Sequence, residues 1–220
     1  NGPAGTETRA RTFTDVQFHM DRLIQPLNWK RPRMIFVNSM SDLFHENVDP
    51  KWVQAIYEVM GAAHQHTYQI LTKRPEVARE VLARLSPILH AQGRARLEHW
   101  RHVWLGVSVE DQVTADERIP ILLQTPAAIR LVSYEPALGP VSFRRFIAQG
   151  SAVDTRDLDW IVVGGESGPG FRECAPEWIA STVNQCRFAG VPVFVKQDAA
   201  LRPGQQGRIP YAYWVKEFPR

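Results

Sequence analysis

The chain has 220 residues, 44% of them hydrophobic and 22% charged, with a formal net charge of +3. This composition suits a folded soluble domain and excludes a disordered or low-complexity chain. No run reaches the roughly 18 apolar residues of a membrane helix, no signal peptide is visible, and two cysteines give no disulfide framework, which points to a reducing compartment such as the cytoplasm. The positive balance permits an anionic partner such as nucleic acid but is a weak hint of one.

Residues 1–12 are polar and glycine-containing, and 1–17 read as a flexible tail. Residues 13–33 carry Trp29, Pro26 and Pro32 and read as irregular structure leading into a strand. Six short apolar runs then follow: MIFVN (34–38), TYQIL (67–71), VWLGV (103–107), IRLVS (129–133), WIVVG (160–164) and VFVKQ (193–197). Their starts lie 26 to 36 residues apart, the period of a β-α unit. Continuous apolar runs describe strands buried on both faces, as in parallel sheets.

Helical patterns fill most of the gaps. Asp49-Pro50 is an N-cap acid followed by proline at the first helical position. Trp52, Val53, Ile56, Tyr57 and Met60 follow at helical spacing and read as core. Val77, Val81, Leu82 and Leu85 form the next apolar face, and 87–101 read as a basic connection. Asp111 opens the third helix as a cap, and Ser41 reads as another cap. From Pro140 past Gly150 the chain is least regular and reads as an insertion over a barrel mouth. Pro176 opens a helix with Trp178, Ile179, Val183 and Cys186 facing inward, and Gly190 stops it. The tail from Arg208 to Phe218 reads as a short closing helix or a docking strand.

The expected fold is therefore α/β: one parallel β/α barrel-like domain over 1–220, partial or open, with at least six β-α units. In such folds function collects at the carboxyl ends of the strands. Those ends carry Asn38, Ser39, Asp42, Lys73, Arg74, Ser108, Glu110, Ser133, Glu135, Glu166, Ser167, Lys196 and Gln197. Carboxylates and lysines around one cavity tune each other as acid–base groups. In the loop 164–170, GGESGPG, glycines allow either close approach to a ligand or a tight strand-to-helix turn, and unpaired amides there can take an anion. Lys73-Arg74 is the best phosphate candidate, with a solvated helix start as its alternative. Arg94, Arg96, Arg101 and His102 read as surface charge. Other chemistries find little support: no P-loop, dinucleotide fingerprint, H-E-x-x-H, C-x-x-C or G-x-S-x-G is present. His64 and His66 form a weak pair just before a strand, at the end opposite the mouth.

Several segments are specific enough to name a family. RMIFVNSMSDLFH (33–45), QILTKRP (69–75), VWLGVSVE (103–110), SYEP (133–136) with LGP (138–140), and VVGGESGPG (162–170) together resemble a family of phage and bacterial proteins sometimes called the three-Cys-motif family. Its members look like radical S-adenosylmethionine enzymes, with a TIM-like partial barrel and an N-terminal three-cysteine segment suited to a [4Fe–4S] cluster. The resemblance covers about Phe18 to Phe218. It implies that Gly164, Gly165, Glu166 and Ser167, with Ser133, hold S-adenosylmethionine. Glu110, Glu135 and Lys196 are then the catalytic candidates, and Asn38, Ser39, Asp42, Lys73, Arg74, Ser108 and Gln197 contact a substrate, with nucleic acid or a nucleotide favoured. This sequence departs from the pattern at one place: residues 1–17 contain no cysteine. The expectation is that the cluster does not assemble on this chain, and that a first barrel strand is missing upstream, leaving an open edge. Two other classes stay open: a cluster-free barrel that binds a nucleotide or nucleic acid, and an interaction module whose open edge recruits a partner protein.

Overall fold

The computed structural model describes residues 16–147 and 157–219. Expectations that fall on 1–15 or on 148–156 lie outside the described residues. Six strands form one parallel sheet in strict chain order: β1 (Met34–Val37), β2 (Thr67–Thr72), β3 (Val103–Val109), β4 (Ile129–Tyr134), β5 (Trp160–Val163) and β6 (Val193–Val195). All six begin where the apolar runs predict. The sheet curls into a half-barrel.

The strand order explains the curl. A doubly wound sheet reverses direction at a switch point and so covers both faces with helices. Here nothing reverses. Right-handed crossovers between successive neighbours put every crossover helix on the same face. That convex face carries the main core, which includes Tyr68, Ile70, Leu105, Val107, Val132, Ile161 and Val163 from the strands. The concave face carries a second, smaller cluster of Trp104, Ile129, Leu131 and Trp160, joined by Leu71, Val162 and Phe194. The central strands β3 and β4 are buried on both faces, as their apolar runs predict. Strands β1 and β2 are not, because the half-barrel leaves the concave side of its first edge uncovered. Met34 and Phe36 there stay 52% and 46% exposed.

Two single-turn helices, α1 (Met20–Leu23) and α2 (Gln25–Asn28), occupy the stretch read as irregular. Helix α3 (Pro50–Ala62) starts as expected, with the Asp49 carboxylate accepting from the Lys51 amide. It buries Val53, Tyr57 and Met60. Helix α4 (Pro75–Ala91) overturns the connection predicted from residue 87, because it runs straight through Pro87. Pro87 removes one helical hydrogen bond on an exposed face, while Leu85 and Leu89 on either side stay buried and hold the turns together. Ser41 caps no helix; its amide closes a turn onto the Asn38 carbonyl.

Helix α5 (Gln112–Leu123) is capped by Asp111. Residues 141–147 do not cover the mouth. They pack in the outer layer, where Gln185 donates to the Val141 carbonyl and accepts from the Phe143 amide. Helix α6 (Pro176–Ala189) ends at Gly190 with φ 70°, the left-handed stop its sequence predicts. The tail is both things it was read as. A single turn over Tyr211–Tyr213 leads into an antiparallel pairing with β6, where the Val195 amide donates to Val215 O (2.9 Å) and the Glu217 amide to Val193 O (3.0 Å). Among the described residues, no helix is long and apolar enough to cross a membrane.

Candidate functional site

Side chains alternate between faces along a strand. The first residue past each of the six strands therefore joins the concave row of its strand. In order these are Asn38, Lys73, Glu110, Glu135, Gly164 and Lys196. All six are among the residues singled out in the sequence. Below Glu110 and Glu135 on the same face lie Ser108 and Ser133, paired with each other in register.

The two glutamates stand side by side, since Val109 and Tyr134 immediately before them are register partners. Each is held from its own flank. Glu110 accepts from Lys73 Nζ at 2.6 Å and from Arg118 Nη1 at 3.1 Å. Glu135 accepts from Lys196 Nζ at 2.9 Å and from Gln197 Nε2 at 3.1 Å. Lys196 follows β6 and Glu135 follows β4, so this pair spans β5. It can do so because the intervening rim residue, Gly164, has no side chain; a Cβ there would stand 3.3 Å from Lys196 Cβ. The glutamates are about 15% exposed and the lysines more than half exposed. Ion pairs of that kind contribute roughly 0–1 kcal/mol each. A ligand can replace either partner at small cost.

Other predicted residues hold the frame. Asp42 accepts from Thr72 Oγ1, the Lys73 amide and Arg74 Nη1, and so ties the loop after β1 to the end of β2. Arg74 is thereby engaged with a carboxylate, as Lys73 is with Glu110. Asn38 and Ser39 are exposed on the turn after β1, with Asn38 in the left-handed region at φ 55°. Gln197 is buried. It donates to Gly165 O and to Glu135 and accepts from the Gly204 amide, so it positions Glu135 and does not line the opening.

The 164–170 loop uses its glycines on the chain itself. The amides of Gly164, Gly165 and Gly168 donate to Tyr134 O, Gln197 O and Ala200 O. A Cβ on Gly165 would lie 2.2 Å from the Ala199 nitrogen. The amides expected to be open to an anion are therefore satisfied at these three positions. Glu166 forms a two-pronged pair with Arg172 (2.9 and 2.8 Å), whose hydrogen bonds hold its carboxyl down to about 2. Ser167 is exposed and bridges to Ala200.

Sequence reading missed Arg118, Thr114 and the Asp198–Arg208 pair. Arg118 lies on the α5 face that also buries Ala115, Ile119 and Leu122, and that spacing was its available signal. Thr114 Oγ1 accepts from the amides of both Glu110 and Asp111, coupling the α5 cap to the rim. Asp198 is buried. Burial pushes its carboxyl up, but hydrogen bonds from Arg208 and two amides outweigh that and leave it below the usual range.

A sequence profile described as protein of unknown function, DUF5131, matches residues 3–209. The chain belongs to the DUF5131 family. No curated protein and no solved structure matches it. The iron–sulfur cluster implied by the earlier resemblance needs three thiolates, and this DUF5131 chain has two cysteines. Both Cys174 and Cys186 are buried, and burial pushes each thiol up to about 12. The residues present do not fit such a cluster. Among the described residues, no group of three or more His, Cys, Asp or Glu is placed to hold a metal ion.

Proposed function

We propose that the rim of the half-barrel is a binding site for a small zwitterionic ligand, and that this chain is the ligand-binding part of an enzyme of the radical S-adenosylmethionine type. The reading rests on one observation: two adjacent carboxylates, Glu110 and Glu135, flanked by Lys73 and Lys196. The pair of glutamates, with Ser108 and Ser133 beneath, attracts an ammonium group. The lysines on either side are available to a carboxylate. An amino-acid moiety carries both, and the methionine end of S-adenosylmethionine is the one the resemblance implies. The apolar concave floor below gives such a ligand a dry wall. S-adenosylmethionine would supply the reactive sulfonium. This chain's residues bind and orient it, and no step through an iron–sulfur cluster is assigned to them.

Calorimetric titration of the chain with S-adenosylmethionine tests this. Saturable binding is expected, weakened at least about ten-fold by Glu135→Gln and by Lys196→Ala, in line with loss of a charged hydrogen-bond partner. Absence of binding, or binding indifferent to both changes, overturns the reading. A second reading, a barrel that binds a nucleotide without radical chemistry, is favoured by the two buried thiols; tight binding of a nucleotide in place of S-adenosylmethionine would establish it.

A further inference from the structure

The two ends of the half-barrel differ in how their positive charge is used. At the rim, Lys73, Arg74, Arg118 and Lys196 all have carboxylate partners. At the opposite pole, among the described residues, Lys30, Arg31, Arg33, Arg94 and Arg96 make no ion pair.

These cations converge because of the parallel sheet. Arg33, His66 and His102 are the residues immediately before β1, β2 and β3. The Thr67 amide donates to Arg33 O and the Tyr68 amide to His102 O, so the three strand entries lie edge to edge. Arg33 and His102 are thus two strand spacings, about 10 Å, apart at the backbone. The Arg33 guanidinium lies over the Trp29 ring, 4.4 Å from its centre.

Beside this row is an open pocket of about 300 Å³ lined by Gly61, His64, Arg94, Ala95, His99, Trp100 and His102. Its lining carries one guanidinium, three imidazoles and no acid. The pocket is built, not incidental. A Cβ on Gly61 would lie 2.3 Å from Arg94 Nη1 and 2.6 Å from the Trp100 ring, so the absence of a side chain at Gly61 is what admits them. Trp100 is anchored by its indole N–H on Ala95 O (2.8 Å) and stacks on His102 at 5.3 Å. His102 in turn bonds to Met60 O through Nε2 (3.2 Å), and burial holds it below the usual histidine range; Arg94 supplies a permanent positive charge to the lining. Glu98, the acid of this segment, lines a separate cleft with Asp157 and Asp159.

We propose that this pole is a docking surface for the phosphate backbone of a single nucleic-acid strand, with the Arg94 pocket seating one phosphate and Arg33 and Arg96 following the strand on either side. A half-buried guanidinium without a carboxylate is a phosphate ligand in waiting. Unpaired cations spaced along one edge of the structure are the arrangement that follows a phosphate backbone. The proposal does not depend on the zwitterion site, which lies at the other end of the strands.

The test is fluorescence anisotropy of the 220-residue chain with a short labelled oligodeoxynucleotide at low and moderate salt. Binding that weakens with salt is expected, with Arg94→Glu reducing affinity at least about ten-fold and removing about one unit of the salt slope. Arg96→Glu, at an exposed side chain, gives the same direction without touching the packing around Gly61. Circular dichroism of both variants checks that they are folded. No binding at low salt overturns the proposal. So does loss of binding in Lys73→Glu with none in Arg94→Glu and Arg96→Glu, which would place the strand at the rim. An affinity for inorganic phosphate equal to that for the oligonucleotide would assign the pocket to free phosphate and overturn the strand. Failure of S-adenosylmethionine binding would leave all these outcomes unchanged.

Discussion

Asp198 shows how a residue outside the rim can decide whether the rim exists. It is buried and receives Arg208 through the Nε, Nη2 and amide nitrogens, and it fixes the segment 197–208 that carries Gln197 and thereby Glu135. Replacing it with alanine leaves buried amides without an acceptor and is expected to cost about 2 kcal/mol, moderated because Arg208 is half exposed and keeps Glu173. The pH dependence follows from the direction of its shift. A carboxyl whose folded value is depressed adds stability above its unfolded value, near pH 4, and loses it as pH falls through the folded value. Asp159, raised by burial, acts in the opposite sense. The difference between wild type and Asp198→Ala therefore isolates what Asp198 contributes. Urea midpoints at about pH 6 and about pH 3 should show the gap between the two proteins narrowing on acidification. A gap that stays constant would mean that Asp198 contributes packing alone.

At the level of elements, helix α5 is built into the rim by its first turn. The Asp111 carboxylate accepts from the Thr114 amide at 2.9 Å, and Thr114 Oγ1 accepts from the amides of Glu110 and Asp111 at 3.0 and 3.1 Å. Thr114→Val keeps the shape and removes that acceptor. It is expected to lower stability by about 1 kcal/mol and also to weaken ligand binding at the rim, because the Glu110 backbone loses its anchor. A stability loss with unchanged binding would separate the cap from the site. The same element illustrates what the sequence makes legible. Asp111 announces itself by type and place, as do Asp49-Pro50 and Gly190, because caps and breakers act within a turn or two. All six strand entries are legible for the same reason: apolar β runs are local. Legibility ends where partners are distant in sequence. Lys196 meets Glu135 across β5 over a glycine at 164, and the glycine run alone reads equally well as a ligand cradle. Arg208 reaches Asp198 from a loop whose sequence carries no periodic signal. Helix α4 shows the converse, since tertiary packing around Leu85 and Leu89 carries it through Pro87 into the stretch read as a basic connection.

For the whole molecule, the two edges of the half-barrel have unequal fates. The β6 edge is covered by residues 214–218, and Phe218 packs 5.3 Å from both Trp160 and Phe194. The β1 edge pairs with no further strand among the described residues. Deleting residues from 214 onward would expose a second edge together with two aromatic faces, and exposed edges recruit other chains. Light scattering after size exclusion should then show higher-order species where the intact chain shows fewer; an unchanged profile would mean that the tail is dispensable as a cover. The strict strand order has a further consequence, in time. Each strand docks against the one made just before it, 26 to 36 residues earlier. At ribosomal rates of roughly 5–20 residues per second, a unit takes about 1 to 7 s to emerge. Helices and loops form in microseconds or less. The sheet can therefore be laid down one strand at a time in the order of synthesis, with no strand held in reserve for a later partner. The β6 edge follows the same rule, since its covering segment begins at residue 214 and the wait for it is no longer than the wait between successive strands. The growing edge is thus bare longest after β1, β2 and β5, where about 30 residues separate one strand from the next.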